Sequence, residues 1–428
     1  MVFAIFAFTA CVSEVNEYGL DPFDSNGVIS HYFTQNLYSA EVPQNIVFYV
    51  ESSGSMNGLF RPKHPTDFKY TVSAILLQND IANHTGGICV FNNNGTEVTT
   101  YDIQSYRDKM NDGNLISRQS TIVPNMLKKI LGDIDKGICN TAVLISDMKY
   151  SPVGISSPEI AMNQYKLDIA SLFQGRNDLS ISIIGFESNY IGSNGMNICE
   201  EFPYYLTIIG KSAEVAWIRN KIIETTENQK CRYQGVLNFN MNYGCPKYTM
   251  LPYTCIGMLR NRYEYLDTTC NISTSYASFD SSVIPGEAIV AVNFRHLPTD
   301  VLNSLSVSDF SIKSYWNDLK PVLMDIYTTL PPTTEDKALI DYVEPNVFFK
   351  IQLNGLNNYN SDMIKITIND ESYSNDYEWI EKYYGAFKES ELDKTISIDM
   401  FIDGLENAYH RNQLQNTPMF LFVTSKNL

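Results

Sequence analysis

Apolar runs and amphipathic segments alternate along the first half of the chain, and this alternation restricts the fold more than any other feature. Runs of β-formers predict buried strands at 46–51, 87–91, 98–101, 141–146, 179–186 and 205–209. Apolar residues at helical spacing predict helices at 68–83, 122–132, 158–173 and 213–226. Nearly continuous apolar strands between helices are typical of a parallel sheet covered on both faces. The prediction for residues 44–230 is therefore an α/β domain with a mostly parallel central sheet flanked by helices.

The second half of the chain has a different pattern. After about Cys231 the helical periodicity fades, and strands are predicted at 236–241, 288–294, 310–315, 347–353, 363–368, 395–401 and 419–423. Asn354-Gly355 and Asp403-Gly404 are turn signals between or after them. Residues 231–428 are predicted to form a mainly antiparallel, sandwich-like β domain, with a short helix near 376–387.

The N-terminus predicts export. Residues 1–10 are apolar but too few to cross a bilayer as a helix. Phe8-Thr9-Ala10-Cys11 is similar to a lipobox, in which the cysteine is lipidated after cleavage, although no basic residue precedes it. We therefore predict a signal remnant at 1–11, lipidation of Cys11, a tether or lead-in at 12–43, and a lipid anchor at the envelope or surface of a bacterium. The alternative is an apolar N-terminus of a cytosolic protein.

Charge and cysteine spacing exclude several classes of protein. The formal net charge is −17 and no Lys/Arg cluster occurs, which argues against a nucleic-acid partner. No C-x-x-C pair occurs, so zinc ribbons and thioredoxin motifs are excluded. Cys89 lies in an apolar run and is predicted to be a buried free thiol. The five later cysteines are close enough in sequence to form disulfides in an oxidising compartment, with no pairing specified.

The first predicted strand ends in a short oxygen-rich loop. Glu51 is followed by Ser53 and Ser55, which supply hydroxyl groups on either side of Gly54. Carboxylate and hydroxyl oxygens suit Mg²⁺, Ca²⁺ or Mn²⁺ rather than zinc. Ligands of open α/β sheets collect at the carboxyl ends of the strands, which is where this loop lies.

Three segments of the chain resemble the metal-ion-dependent adhesion site of the von Willebrand factor A-domain family. They are Glu51-Ser52-Ser53-Gly54-Ser55 after the first strand, Thr121 before a helix, and Asp147 at the end of Ala142-Val143-Leu144-Ile145-Ser146. The resemblance covers residues 44–230 and implies a Rossmann-like A-domain fold for them. It implies hydroxyl ligands from Ser53, Ser55 and Thr121, and carboxylates from Glu51 and Asp147 acting directly or through water. It also implies an open coordination position for an acidic side chain of a partner protein.

Glu51 departs from the family pattern, which has aspartate at this position. One more methylene moves the carboxylate by about 1.5 Å, and Mg²⁺ tolerates such a change less well than Ca²⁺. The alternative interpretation is that Ser53 and Ser55 cap the strand exit while Asp147 forms a turn, without any metal.

Three hypotheses about function follow from these observations. The first is a surface-anchored protein-binding or adhesion module that uses a divalent cation. The second is a metal-free A-domain scaffold in a cell-envelope assembly. The third, an extracytoplasmic metal-dependent hydrolase, has the least support because the sequence identifies no general base or nucleophile. We therefore predict that the protein is not an enzyme.

Overall fold

The structure is a computed structural model. It describes residues 42–117, 122–150, 157–244, 246–251, 253–257, 264–265, 275–280, 282–283, 285–295, 297, 302–303, 305–314, 319–329, 336–355, 361–369, 375–385, 392–409, 415–416 and 419–426. The chain divides into two compact units. The first unit comprises Ala40–Asn242 and Ser374–Leu414, and the second is built around Tyr243–Tyr373 and Gln415–Leu428. This division differs from the predicted boundary at residue 230, because the segment after residue 374 packs with the first unit.

The strands are β1 Ile46–Val50, β2 Thr85–Asn92, β3 Glu97–Tyr101, β4 Thr141–Ser146, β5 Ser180–Ile191, β6 Asn197–Gly210, β7 Tyr233–Phe239, β8 Asn242–Gly244, β9 Lys247–Met250, β10 Glu264–Tyr265, β11 Ser275–Asp280, β12 Gly286–Asn293, β13 Phe310–Ser314, β14 Lys320–Tyr327, β15 Val347–Asn354, β16 Ser361–Ile368, β17 Tyr384–Gly385, β18 Thr395–Ile396, β19 Gln415–Asn416 and β20 Met419–Lys426. The helices are α1 Asp67–Leu77, α2 Asn79–Ala82, α3 Ile103–Asp112, α4 Val123–Asp135, α5 Pro158–Phe173, α6 Ser212–Asn228, α7 Lys337–Val343, α8 Glu378–Glu381 and α9 Ile398–Ala408.

The first unit contains a seven-stranded sheet in the order β3-β2-β1-β4-β6-β5-β7. Strand β1 is parallel to β2 and to β4. The other neighbours in the sheet are antiparallel. The α/β class is thus confirmed as a mixed sheet flanked by helices, whereas the mostly parallel arrangement holds only for β1, β2 and β4. The reason is a long β5–β6 hairpin, which places β6 between β4 and β5.

Strand β1 lies inside the sheet between β2 and β4 and is buried along its whole length. Alternate side chains of a strand point to opposite faces of the sheet. Val47 and Tyr49 belong to a core shared with α4, α5 and α9. On the opposite face, the ring of Phe68 in α1 lies 4.9 Å from that of Tyr204 in β6. Helices therefore pack against both faces of the sheet.

The C-terminal segment, defined here as residues 375–385 and 392–409, packs on the sheet of the first unit. Gly185 and Gly235 face each other across β5 and β7. A Cβ atom at Gly185 would lie 2.1 Å from the Trp379 ring, and one at Gly235 would lie 2.4 Å from it. Glycine is required at both positions because the indole ring approaches the backbone directly. The pair therefore forms a seat for Trp379.

The buried carboxylate of Glu187 forms hydrogen bonds with the C-terminal segment. Glu187 in β5 accepts hydrogen bonds from the Tyr383 hydroxyl at 2.5 Å and from Lys382 Nζ at 3.2 Å. Its other oxygen accepts a bond from Arg232 at 2.9 Å. Helix α9 adds apolar contacts to α5 and an ion pair between Asp403 and Lys166 at 2.7 Å.

The predicted strand at 395–401 is wrong in its second part. Thr395 and Ile396 form β18, but Ile398 begins the helix α9. The physical reason is that Ile398, Phe401, Ile402 and Leu405 repeat at helical spacing, and all four are buried against the first unit.

The second unit contains a five-stranded sheet, β10-β11-β20-β16-β13, and a four-stranded sheet, β14-β15-β12-β9. All described strand pairs of these sheets are antiparallel except β11 with β20. The ring of Phe310 from the first sheet lies 4.8 Å from that of Phe349 in the second. A mainly antiparallel β unit is thus observed. Among the described residues, none of the helices has the length and apolar character needed to cross a membrane.

Candidate metal centre

The loop after β1 brings two hydroxyl groups together. Ser53 Oγ and Ser55 Oγ lie 2.9 Å apart. Ser53 is buried and Ser55 is partly exposed, so the pair lies at the boundary between the core and the solvent. The neighbouring Ser52 points elsewhere and donates to the carbonyl of Leu115 at 2.9 Å. The two serines that the sequence predicted as ligands are therefore the two that converge.

The side chain of Glu51 is directed to the end of the neighbouring strand β4. The residue is 1% exposed, and one carboxylate oxygen accepts a hydrogen bond from the Ser146 hydroxyl at the end of β4. The Ser146 oxygen in turn accepts a bond from the backbone N–H of Met148 at 2.8 Å. The glutamate side chain thus spans the ends of β1 and β4.

Asp147 has one carboxylate oxygen without a partner. The residue is fully buried; Oδ1 accepts the backbone N–H of Lys149 at 3.1 Å, and Oδ2 has no hydrogen-bond partner. Most buried polar atoms in folded proteins are hydrogen-bonded, and an exception calls for an explanation such as an ion. The next residue, Met148, has a φ of +54°, a left-handed conformation that is unfavourable for this side chain. Strained backbone of this kind concentrates at functional sites.

The strand register places these groups at one edge of the sheet. Val50 pairs with Ile145 in parallel, and the N–H of Glu51 donates to the Ile145 carbonyl at 2.9 Å. The residues that follow β1 and β4 therefore leave the sheet side by side, about 4.8 Å apart between strands. Glu51 and Asp147 thus follow adjacent strands at one edge of the sheet, and the Ser53–Ser55 pair lies in the loop that follows Glu51.

The loop that carries the serines is held in place along its length. Asn57 exchanges two hydrogen bonds with the backbone of Ser117, at 2.7 and 2.8 Å. Lys69 donates to the carbonyls of Arg61 at 2.7 Å and of His64 at 3.1 Å. Burial lowers the pKa of the Lys69 ammonium. These contacts fix the loop before any ligand binds, which reduces the entropic cost of binding.

Two predicted site residues lie outside the described residues: Thr121, the third hydroxyl ligand, and Cys11, the lipidation site. The chain is described up to Ser117 on one side of Thr121 and from Ile122 on the other. The Ile122 N–H donates to the Asn94 carbonyl at 3.4 Å, just before α4 begins.

Sequence reasoning missed three residues around Asp147. Ser146 carries the hydrogen bond to Glu51, and its position next to Asp147 was the available signal. Lys149 extends its ammonium group to the carbonyl of Leu392 at 3.4 Å. Thr395 donates to the Asp147 carbonyl at 3.4 Å and lies 3.1 Å from the Tyr205 hydroxyl. No local signal identifies Thr395, because it is distant in sequence.

The donor set is compatible with a hard divalent cation. It combines two hydroxyl oxygens, an unpartnered buried carboxylate oxygen and a second buried carboxylate, and it contains neither sulfur nor imidazole. Among the described residues, no group of three or more His, Cys, Asp or Glu side chains is placed to hold a metal. An ion here would depend on serine oxygens in addition to the two acids.

The described cysteines are free thiols: Cys89, Cys139, Cys199, Cys231 and Cys255. Cys89 is buried, which confirms its prediction. Cys139 lies 3.9 Å from the hydroxyl of Tyr49, and burial raises the pKa of the Cys139 thiol to about 11. A high pKa keeps the thiol protonated and unreactive. Burial of Cys139 therefore favours its protonated thiol form.

Comparison of the chain with models of protein families, with curated proteins and with solved structures finds no match.

Proposed function

We propose that the first unit is a protein-binding module that holds a divalent cation at the carboxyl ends of β1 and β4. The observation that carries this proposal is the buried Asp147 Oδ2, which has no hydrogen-bond partner. An uncompensated buried carboxylate is costly unless a cation or a proton accompanies it. The nearby Ser53–Ser55 pair supplies two further oxygens of the hard-ligand type.

The proposal adopts the site type of von Willebrand factor A-domains. Ser53, Ser55 and Asp147 would hold the ion, with Thr121 as a further ligand and Glu51 acting through water. An ion with few charged ligands attracts one more anionic oxygen, so the proposed partner is a protein that presents an acidic side chain. Lipid anchoring through Cys11 at a bacterial envelope belongs to the same proposal, and its support is the sequence motif alone.

A second candidate is a scaffold that works without metal, and one observation favours it. The Lys149 ammonium interacts electrostatically with both Asp147 and Glu51. A lysine supplies part of the positive charge that an ion would otherwise provide. The two candidates differ in whether this edge of the sheet binds a divalent ion.

Isothermal titration of the purified chain with Mg²⁺, Ca²⁺ and Mn²⁺ tests the proposal. We expect saturable heat with at least one ion in the wild type. In Asp147→Asn we expect the affinity to fall by more than about tenfold, because one charged ligand is lost. The matched control is Asp112→Asn, which alters an exposed acid at the end of α3 and leaves binding unchanged. Absence of heat with all three ions in the wild type would favour the metal-free scaffold.

A further inference from the structure

Lys149 connects the candidate metal centre to the C-terminal segment. Its backbone N–H donates to Asp147 Oδ1 at 3.1 Å, so the residue belongs to the turn that presents this carboxylate. Its side chain extends in the other direction. The Nζ atom donates to the Leu392 carbonyl at 3.4 Å and lies 4.5 Å from the centroid of the Phe202 ring. A cation over an aromatic face is stabilised by the ring quadrupole.

The charges around Lys149 link it to both carboxylates of the site. The groups that interact with it electrostatically are Asp147, Cys199, Asp393 and Glu51. Asp393 is itself part of the C-terminal segment and half-exposed. Burial lowers the pKa of the Lys149 ammonium, and the acidic groups on both sides of it, Asp147 and Glu51 in the site and Asp393 in the segment, oppose that change.

The C-terminal segment meets the Asp147 turn through a few long hydrogen bonds. Thr395 Oγ1 donates to the Asp147 carbonyl at 3.4 Å, and the Tyr150 N–H donates to the Ile396 carbonyl at 3.4 Å. The contact ends at Ser397, a buried residue with a φ of +67° whose hydroxyl has no partner. Helix α9 begins directly after it. Thr395 is buried, but the two hydrogen bonds that join residues 395–396 to the turn are long, so this contact can open locally while the packed helix stays in place.

We propose that Lys149 is an internal antagonist of the divalent cation and couples ion binding to release of residues 392–396. This proposal rests on the proposed function. A divalent ion beside Asp147 repels the Lys149 ammonium, which then leaves the Leu392 carbonyl, and the contact between the segment and the turn weakens. Because coupling between two sites is reciprocal, the docked segment lowers the affinity for the ion by the same factor.

Hydrogen exchange combined with ion titration tests this coupling. The reporters are the amide of Thr395, which donates to the Tyr383 carbonyl at 2.8 Å within the segment, and the amide of Tyr150, which donates to the Ile396 carbonyl at 3.4 Å across the contact. In the wild type we expect exchange over residues 392–396 to accelerate severalfold with a saturating concentration of the ion that binds. In Lys149→Met we expect binding of that ion about tenfold tighter, because a nearby positive charge is removed. In this variant, hydrogen exchange over residues 392–396 should be fast in the absence of ion and should not change when the ion is added.

The matched control is Lys166→Met, which removes another lysine that contacts the C-terminal segment, through Asp403. It should keep the affinity and the ion-dependent exchange of the wild type. Ion binding with unchanged exchange at 392–396, or equal affinity in Lys149→Met and the wild type, would overturn the coupling and leave the proposed function intact. If neither the wild type nor Lys149→Met binds any ion, the proposed function fails and the coupling fails with it.

Discussion

Two buried acidic residues of the first unit contact the C-terminal segment, Glu187 through its carboxylate and Asp147 through its backbone carbonyl, and their carboxylates have opposite surroundings. Glu187 is surrounded by donors: Arg232, Lys382 and the Tyr383 hydroxyl all bind its oxygens. Asp147 receives one backbone N–H on Oδ1, and its Oδ2 has no hydrogen-bond partner. Both residues are buried, so the difference lies in their partners and not in their depth.

The difference separates a structural role from a binding role. A buried carboxylate with two cations and a hydroxyl is satisfied and fixes the elements that supply them. A buried carboxylate with an orphaned oxygen is destabilising unless something external completes it. Removing Glu187 should therefore affect folding, whereas removing the charge of Asp147 should affect binding. The following four predictions test this contrast.

The largest effect is expected for Glu187→Ala. The change removes two ion pairs and leaves Arg232 and Lys382 beside a buried space, so we expect a loss of about 3 kcal/mol in the free energy of unfolding. Urea denaturation measures it. The control is Glu227→Ala, an exposed helix position where we expect a change within about 0.5 kcal/mol. A loss below about 1 kcal/mol in Glu187→Ala would contradict the structural role.

The second prediction concerns the seat of Trp379. Gly235→Ala places a methyl group 2.4 Å from the indole ring. Because this overpacks the contact, we expect the free energy of unfolding to fall by about 2 kcal/mol. The matched control is Gly132→Ala in α4, where no atom lies within 4 Å of the added Cβ, and where alanine should be neutral or stabilising. Equal stabilities of the two variants in the same denaturation assay would show that the segment is not held by the Trp379 seat.

The third prediction is a pH dependence of the Glu187 cluster. Burial and the hydrogen bond to Glu187 raise the pKa of Tyr383, so the folded state retains this proton when the unfolded state loses it near pH 10. The contribution of protonated Tyr383 to the free energy of unfolding is therefore complete below about pH 10 and declines as the pH rises further. In Tyr383→Phe we expect the free energy of unfolding at pH 7 to fall by about 1.5 kcal/mol. Above about pH 10, the free energy of unfolding of this variant should decline less steeply than that of the wild type, by up to about 1.4 kcal/mol per pH unit.

Unfolding curves between pH 7 and 11 measure both quantities. Tyr70→Phe removes an exposed hydroxyl on α1 and serves as the control, with the alkaline slope of the wild type. If Tyr383→Phe and the wild type decline in parallel, Tyr383 does not contribute to the alkaline transition.

The smallest effect on folding is expected for Asp147→Asn in the presence of a chelator. Asparagine keeps the Oδ1 acceptor for the Lys149 N–H and removes a buried negative charge whose Oδ2 atom has no hydrogen-bond partner. We therefore expect the free energy of unfolding to change by less than about 1 kcal/mol or to rise. A loss as large as that of Glu187→Ala would show that Asp147 is structural, and would remove the contrast between the two carboxylates.

Elements with complete local signals were predictable from the sequence. Helix α5 has the predicted bounds, Pro158–Phe173, because a proline is favourable in the first turn of a helix. Strand β4 also has its predicted bounds, because its apolar run is short and continuous. The hairpin between β5 and β6 was missed, although Asn194-Gly195 is a known hairpin signal and Gly195 has a φ of +79°. The antiparallel pairing of β5 with β6 follows from that turn.

The candidate site was predictable where it depends on strand ends. Glu51, Ser53, Ser55 and Asp147 follow two strands, and the parallel register of those strands brings them to one edge. The contributions of Lys149 and Thr395 were not predictable. Contacts between residues so distant in sequence depend on the path of the whole chain, which no local pattern encodes.

The division of the first unit into two stretches of sequence also has a consequence for synthesis. The face of the sheet that carries Tyr49 and Tyr205 is completed by Ile380 and α9, which the ribosome makes only after the intervening residues Tyr243–Tyr373. At about 5–20 residues per second, this gap is a delay on the order of ten seconds. During that interval the nascent chain exposes an apolar surface beside the ends of β1 and β4. A chaperone that binds nascent chains would have its longest opportunity to act there.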